Sequence, residues 1–329
     1  MTIDLRLERE IEYAEFSPNS AILNLGLHLP HDIGIIVEDL MAIADGTSLR
    51  IYDTTGNEIA NHPIRTNIKE LTFTGFTDLD LPLDGYLLGL TYNKTIEVIR
   101  LIIDLQPDKI EVKDIEDLRF RISGHRNYTL DDNPEHIING MNSIIWPLYA
   151  STKEALHAFS QKEMDRNNGM DLRFNNKFTS NGGRTPRLFT SGYYDLRTEY
   201  NEKPKAHPYV LLKGTQELTP LAWLDRLKGG MTKDPRRKSI KVPYDSVSIA
   251  PTFTDSSFLA IDKNRILWYL PDIKGKNHMN KEGNVKLEDF GITGYRKDII
   301  SSTQYRDQRP VLYITDDNTK LVRFRLRER

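Results

Sequence analysis

Three stretches of this chain share one plan: an apolar run, a short turn of acidic and polar residues, then a second apolar run. They are "IYDTTGNEI" at 51–59, "FLAIDKNRILWYL" at 258–270 and "VLYITDDNTKLVRFRLR" at 311–327. The plan reads as a β-hairpin, because Gly56 and Asn57, Asp262 to Asn264, and Asp316 to Asn318 are residue types that tolerate tight turns. Asp53 resembles one half of a catalytic signature. Aspartic proteases, however, need an Asp-Thr-Gly or Asp-Ser-Gly turn twice, so that two carboxylates can share a proton. Here an extra threonine separates Asp53 from Gly56, and no second copy of the turn exists. Asp53 is therefore read as a residue that turns the chain.

Other segments carry strand or helix patterns. Leu5, Leu7, Ile11 and Tyr13 fall at period two among Arg6, Glu8, Glu10 and Glu12, as in a half-buried strand. "ELTFTGF", "GYLLGLTY" and "TIEVIRLIIDL" continue in strand, the last two joined at Asn93-Lys94. "DIGIIVEDLMAIADG" reads instead as a short helix, with Asp32 as cap and Gly46 as stop. "DDNPEHIINGMNSIIWPLYA" reads as helix from Asn133 and Pro134, and "STKEALHAFSQKEMDRNNG" from the capping box Ser151 to Glu154. "TPLAWLDRLKGG" adds a compact helix capped by Thr219.

The expected fold class is α+β and strand-rich. Residues 1–125 read as an acidic β-rich, sandwich-like domain, 126–170 as a helical hairpin and 171–208 as a polar extended loop. Residues 209–329 read as a basic β-rich domain of antiparallel hairpins.

Composition removes several classes of function. The chain has no cysteine, which excludes disulfides, thiolate zinc sites, iron–sulfur clusters and a cysteine nucleophile. The first residues alternate apolar and charged side chains, unlike a signal peptide, and charges break every long apolar run, so no membrane span is expected. Charge is unevenly divided. Residues 1–120 hold 22 Asp and Glu against 10 Lys and Arg, whereas residues 121–329 hold 25 against 35. Such polarity points to partners without naming them.

No phosphate loop, dinucleotide fingerprint, serine elbow, His-Glu-x-x-His or calcium loop is present. His28 and His31, with Asp32, could begin a metal site but lack a full ligand set. His125, Arg126, Asp131, Asp132, Glu135 and His136 form the densest titratable cluster. A hydrolase site there is one reading, and a cap and helix dipole account for the same carboxylates. Neither a catalytic residue nor a metal or cofactor is assigned. Arg236, Arg237, Lys238 and Lys241, with Arg323, Arg325 and Arg327 on one face of the last strand, are candidate contacts for an anion or for nucleic acid. A solvated strand face would show the same arginines. Asn181, Gly182, Gly183 and Arg184 are a candidate assembly loop.

The run "LRIYDTTGNEI … FTGFTDLDLPLDGYLLGLTY", within residues 46–105, resembles immunoglobulin-like and transthyretin-like sandwich modules, which implies a binding or spacer module. The chain as a whole is similar in style to neck, tail or baseplate proteins of tailed bacteriophages. That resemblance implies an assembly protein, made in the cytoplasm and incorporated into a virion, docking through complementary charged surfaces. Its expected partners are other structural proteins and copies of itself, with possible nonspecific nucleic-acid contact and no membrane. A nucleic-acid-binding accessory role is the alternative.

Overall fold

The computed structural model describes residues 3–25, 27–31, 34–64, 71–76, 85–109, 115–130, 132–134, 136–139, 148–152, 156–159, 170–172, 186–191, 207–212, 216–225, 230–243, 246–251, 258–270, 285–294, 298–301 and 311–328. Among the described residues there is no α-helix. Strands dominate, with 3₁₀ turns at Ile115–Asp117 and Leu287–Phe290.

The described strands assemble into six larger antiparallel sheets, five of four strands and one of five, and a separate two-stranded one. The first sheet holds β2 (Ala21–Asn24), β5 (Met41–Asp45), β6 (Ser48–Tyr52) and β7 (Glu58–Pro63), in that order. A two-stranded hairpin, β3 (Leu27–His31) and β4 (Gly34–Glu38), is inserted between β2 and β5. The second sheet runs β8 (Leu71–Phe76), β9 (Gly85–Tyr92), β10 (Thr95–Leu105), β11 (Leu118–Thr129). The third runs β12 (His136–Asn139), β13 (Leu148–Ser151), β14 (Leu156–Phe159), β15 (Met170–Leu172). In the fourth, β16 (Pro186–Ser191), β17 (His207–Leu212), β18 (Glu217–Asp225) and β19 (Gly230–Lys233) are joined by β20 (Ile240–Lys241), which also pairs with β18. The fifth holds β21 (Ser246–Pro251), β22 (Phe258–Asp262), β23 (Ile266–Leu270) and β24 (Val285–Lys286).

The sixth sheet combines the two ends of the described chain. Its order is β25 (Ile299–Ser301), β26 (Val311–Thr315), β27 (Lys320–Glu328), then β1 (Ile3–Glu12). The first strand of each sheet touches the first strand of the next: β2 meets β8, β8 meets β12, β12 meets β16, β16 meets β21, β21 meets β25, and β25 returns to β2. Six sheets therefore close a ring with their first strands innermost.

The apolar core lies between neighbouring sheets. Leu40, Ala42 and Leu49 of the first pack with Ile99, Leu101 and Ile103 of the second. Leu259 and Ile261 of the fifth pack with Leu312, Ile314 and Phe324 of the sixth, and Met41 and Ile43 meet Tyr313 and Leu321 across the sixth and first. A strand between two neighbouring sheets is covered on both faces. All of β22 and β26 is buried, as is β5 up to Ala44.

That double burial corrects the expected α+β class. A strand covered on both faces has no polar alternation, so "MAIA" presents an unbroken apolar run open to a helical reading. "DIGIIVEDLMAIADG" holds β4 and β5, and "TPLAWLD" lies in β18. The expected central αα-hairpin is likewise absent from the described residues, since its segments hold β12, β13 and β14. Nor do residues 46–105 make an immunoglobulin-like or transthyretin-like sandwich, because β6 and β7 belong to one sheet of the ring and β8 to β10 to the next. Of the polar stretch 171–208, residues outside β15, β16 and the start of β17 lie outside the described residues.

Candidate functional site

Two arginine-rich regions stand out on this ring, and their local construction differs. The first is the seam where β1 closes the sixth sheet. Antiparallel register sets Arg6 opposite Arg325 and Arg9 opposite Arg323. Like charges directly opposed across strands are destabilising. Between Leu7 and Arg9 the register shifts, making Glu8 an extra residue in the closing strand. A bulge re-aims a side chain, and here the Glu8 carboxylate lies 3.2 Å from Arg323 Nη1 and 2.8 Å from Arg325 Nε. All three side chains are less than one-fifth exposed. Further along, Lys320 Nζ lies 3.5 Å from Glu12 and 3.8 Å from Glu10. Arg323 and Arg325, expected to contact an outside anion, are thus ion-paired within their own sheet. Arg327 lies opposite Asp4 in the same ladder.

Beside this seam a polar link crosses between sheets. Tyr313 OH donates to Asp39 Oδ2 at 2.6 Å, and Asn24 Nδ2 donates to Asp39 Oδ1 at 2.7 Å. Asp39 is fully buried, so these donors compensate its desolvation. Burial, with the Asp39 charge adding to it, pushes the Tyr313 hydroxyl far above the ordinary tyrosine range.

In each acidic turn one aspartate accepts from the backbone of its own loop, while Asp316 of the third turn reaches outside it to the backbone of Thr293 and Gly294. Asp53 Oδ1 accepts from the backbone of Thr55 at 2.8 Å and of Asn57 at 2.9 Å, and from Thr55 Oγ1 at 2.7 Å. Burial raises its pKa, but these hydrogen bonds outweigh burial and hold it below the usual carboxylate value. Asp262 Oδ1 accepts from Asn264 N and Ile266 N, and Asp317 Oδ1 from Thr319 N and Lys320 N. Asp53 therefore shapes a bend, in keeping with the sequence reading. Gly56, at φ +93°, packs so closely that a Cβ there would lie 2.4 Å from the Glu12 carbonyl oxygen of the closing strand.

The second arginine-rich region interrupts the outer edge of the fourth sheet. Lys233 pairs with Leu221, and the next pairing along β18 is Ile240 with Leu218. Residues 234–239 thus loop out opposite Thr219 and Pro220 alone. Asp234 fixes the loop: its N–H donates to Pro220 O at 2.9 Å, and its Oδ1 accepts from Arg236 N at 2.9 Å. Arg236 Nε and Nη2 reach its two carboxylate oxygens at 3.0 and 3.2 Å, which holds the Asp234 pKa low. Arg237 Nη1 donates to the hydroxyl of buried Tyr209 at 3.1 Å. Lys233, Arg236, Lys238 and Lys241 are exposed.

The remaining candidates separate. Asn181, Gly182, Gly183 and Arg184 lie outside the described residues. His125 sits within β11 opposite Ile99, and His136 opens β12 opposite Ser151. Asp132 Oδ1 accepts from Asn133 N, and Asn133 Oδ1 from Lys94 N, so this segment is a junction between sheets. His28 and His31 lie in β3. Among the described residues no group of three or more His, Asp or Glu side chains is placed to hold a metal ion. Sequence reading missed Glu8, Arg9, Asp39 and Tyr313. The only signal was the lapse of alternation after Leu7, where Glu8 and Arg9 stand together.

A closed ring of radially repeated, mainly four-stranded antiparallel sheets, latched by pairing the first strand with the last, defines a β-propeller-like protein. No protein-family model matches the sequence, and no curated protein matches it significantly. Among solved structures, the chain is similar to BBS1N in complex with ARL6DN, in crystals soaked with lead and with mercury. The TM-score is 0.51 for both, at 10% and 9% identity, over 98% of this chain and 97% of each of theirs. At that identity the likeness is one of fold. It overturns the expected kinship with virion neck, tail or baseplate proteins, because the described strands follow the ring and the sandwich-plus-helices plan behind that expectation is absent from the described residues.

Proposed function

We propose that this chain is a propeller-like scaffold that binds another protein on its surface. The observation that carries this reading is the match of nearly the whole chain to BBS1N, which was crystallised in complex with a second protein, ARL6DN. Its physical support is the division of labour in the ring. Sheet-to-sheet packing consumes the apolar side chains, and turns and ladders consume most described carboxylates. Charged side chains such as Arg236, Lys238 and Lys241 are exposed on a frame of paired strands, which suits it to presenting a surface with little ordering cost on association.

The test is cross-linking of the full chain in its native cells, followed by reconstitution with the identified protein as a purified component. A stoichiometric complex with cross-links confined to one face of the ring is expected. Failure of every cross-linked protein to form a complex with the purified chain would overturn the reading.

A further inference from the structure

The interruption in the outer edge of the fourth sheet has no counterpart in what the sheet needs. Two residues of β18, Thr219 and Pro220, face six residues of the outer strand, 234–239. Pairing resumes on both sides, and Val242 N continues it by donating to Gln216 O at 2.8 Å. A uniform outer strand would complete the sheet with about two residues in that interval, since strands pair residue for residue. The excess is built of Asp234, Pro235, Arg236, Arg237, Lys238 and Ser239, flanked by Lys233 and Lys241.

Charge at this site is one-sided. Asp234 is the only acid between residues 230 and 241, its side chain is 5% exposed, and it is engaged by Arg236, whose side chain is 80% exposed. Glu217 lies opposite Lys241 and offsets part of the surplus. At the closing seam, by contrast, Glu8 lies between its arginines. The loop is also held in shape before any ligand arrives. Asp234 ties it to Pro220 at one end, β20 ties it to β18 at the other, and Arg237 is anchored on Tyr209. Tyr209 in turn packs edge-on against Phe258 of the fifth sheet at 4.9 Å. A cationic loop so braced loses little freedom on binding and attracts negative charge from a distance.

We infer that the loop 234–239, with Lys233 and Lys241, is a docking site for an acidic segment of a partner protein. The inference rests on the scaffold reading and names where and by what chemistry the partner is held. Carboxylates of the segment pair with the exposed Arg236, Lys238, Lys233 and Lys241, while Asp234 keeps Arg236 oriented.

The experiment uses the full chain and a fluorescent twelve-residue peptide of alternating Glu and Ser, with inorganic phosphate and a short DNA duplex as competitors. Three proteins are compared: wild type, the double variant Arg236→Glu with Lys238→Glu, and a control carrying Lys94→Glu with Lys286→Glu, which changes net charge equally at exposed sites of the second and fifth sheets. Peptide affinity should fall about tenfold or more in the loop variant and about twofold or less in the control, as expected when contact rather than overall field dominates. A fourth protein, in which residues 234–239 are replaced by Thr-Gly to restore continuous pairing, should keep its thermal transition and lose the peptide. Equal losses in loop variant and control, or no peptide binding by wild type, would overturn the inference. So would DNA or phosphate displacing the peptide at lower concentration than the peptide's own. If a purified native partner still binds the loop variant at full strength, the docking site fails while the scaffold reading stands.

Discussion

The closing seam and the basic loop use the same residue types to opposite ends. At the seam, Arg6, Arg9, Arg323 and Arg325 are brought face to face by strand register, and one bulged carboxylate, Glu8, lies between the last two. At the loop, Arg236 and Lys238 are exposed, Arg237 reaches the buried Tyr209, and the carboxylate of Asp234 points inward. An arginine's role is thus set by what the backbone places opposite it. At the seam the arginines lie within the sheet ladder, and at the loop Arg236 is oriented by Asp234 while most of its side chain faces outward.

Four variants can break or sharpen that contrast. Glu8→Ala should have the largest effect, because it removes the carboxylate paired with two largely buried arginines, Arg323 and Arg325. Loss of one partner of such a pair costs about 2–4 kcal/mol after allowing for partial exposure, read as a lower midpoint in urea denaturation. Gly56→Ala should follow at about 2 kcal/mol, since a Cβ at φ +93° is strained and would press on the Glu12 carbonyl of the closing strand. If it unfolds no more readily than wild type, the turn at 53–57 does not brace β1.

Asp53→Asn should cost about 1 kcal/mol, by weakening acceptance from Thr55 and Asn57. Its effect depends on pH. The folded pKa lies below the unfolded value near 3.8, so the carboxylate's contribution is complete above about pH 5 and is lost as pH falls through the lowered folded pKa. The gap between wild type and variant should therefore close in acid, and a constant gap from pH 7 to 2.5 would refute the assignment. Smallest on stability is the pair Arg236→Glu with Lys238→Glu, expected within about 0.5 kcal/mol of wild type because both side chains are exposed. A large destabilisation would make the loop a structural part like the seam.

How much of this was legible in the sequence follows from which contacts are local. The hairpins at 51–59, 258–270 and 311–327 were readable, because turn chemistry and the strands beside it lie within one short stretch. Asp53 was readable for the same reason, its partners being two and four residues away. Strands such as β5, β12 and β18 were mistaken for helices. In β5, buried without a break up to Ala44, the alternation that betrays strand structure disappears, and in the other two, caps such as Asn133 or Thr219 serve turns and strands as readily as helices. The seam was invisible for a different reason. Arg9 and Arg323 meet through pairing across nearly the whole chain, and Tyr313 reaches Asp39 across a separation of 274 residues. Nothing near Arg323 or Arg325 announces that Glu8 is their partner, so they read as a free cationic face. The basic loop was found from its composition. Its standing as an interruption between two halves of an outer strand required the register of β18.

The account depends on ring closure by β1 against β27, and the absence of cysteine gives a clean background in which to measure it. Glu12 and Lys320 are direct cross-strand neighbours, close enough for a disulfide between cysteines placed there. The variant Glu12→Cys with Lys320→Cys should oxidise to a monomeric, internally cross-linked chain that resists urea better than its reduced form. The register-shifted variant Arg9→Cys with Lys320→Cys should not. Equal cross-linking in both, or only intermolecular products, would contradict the closed ring.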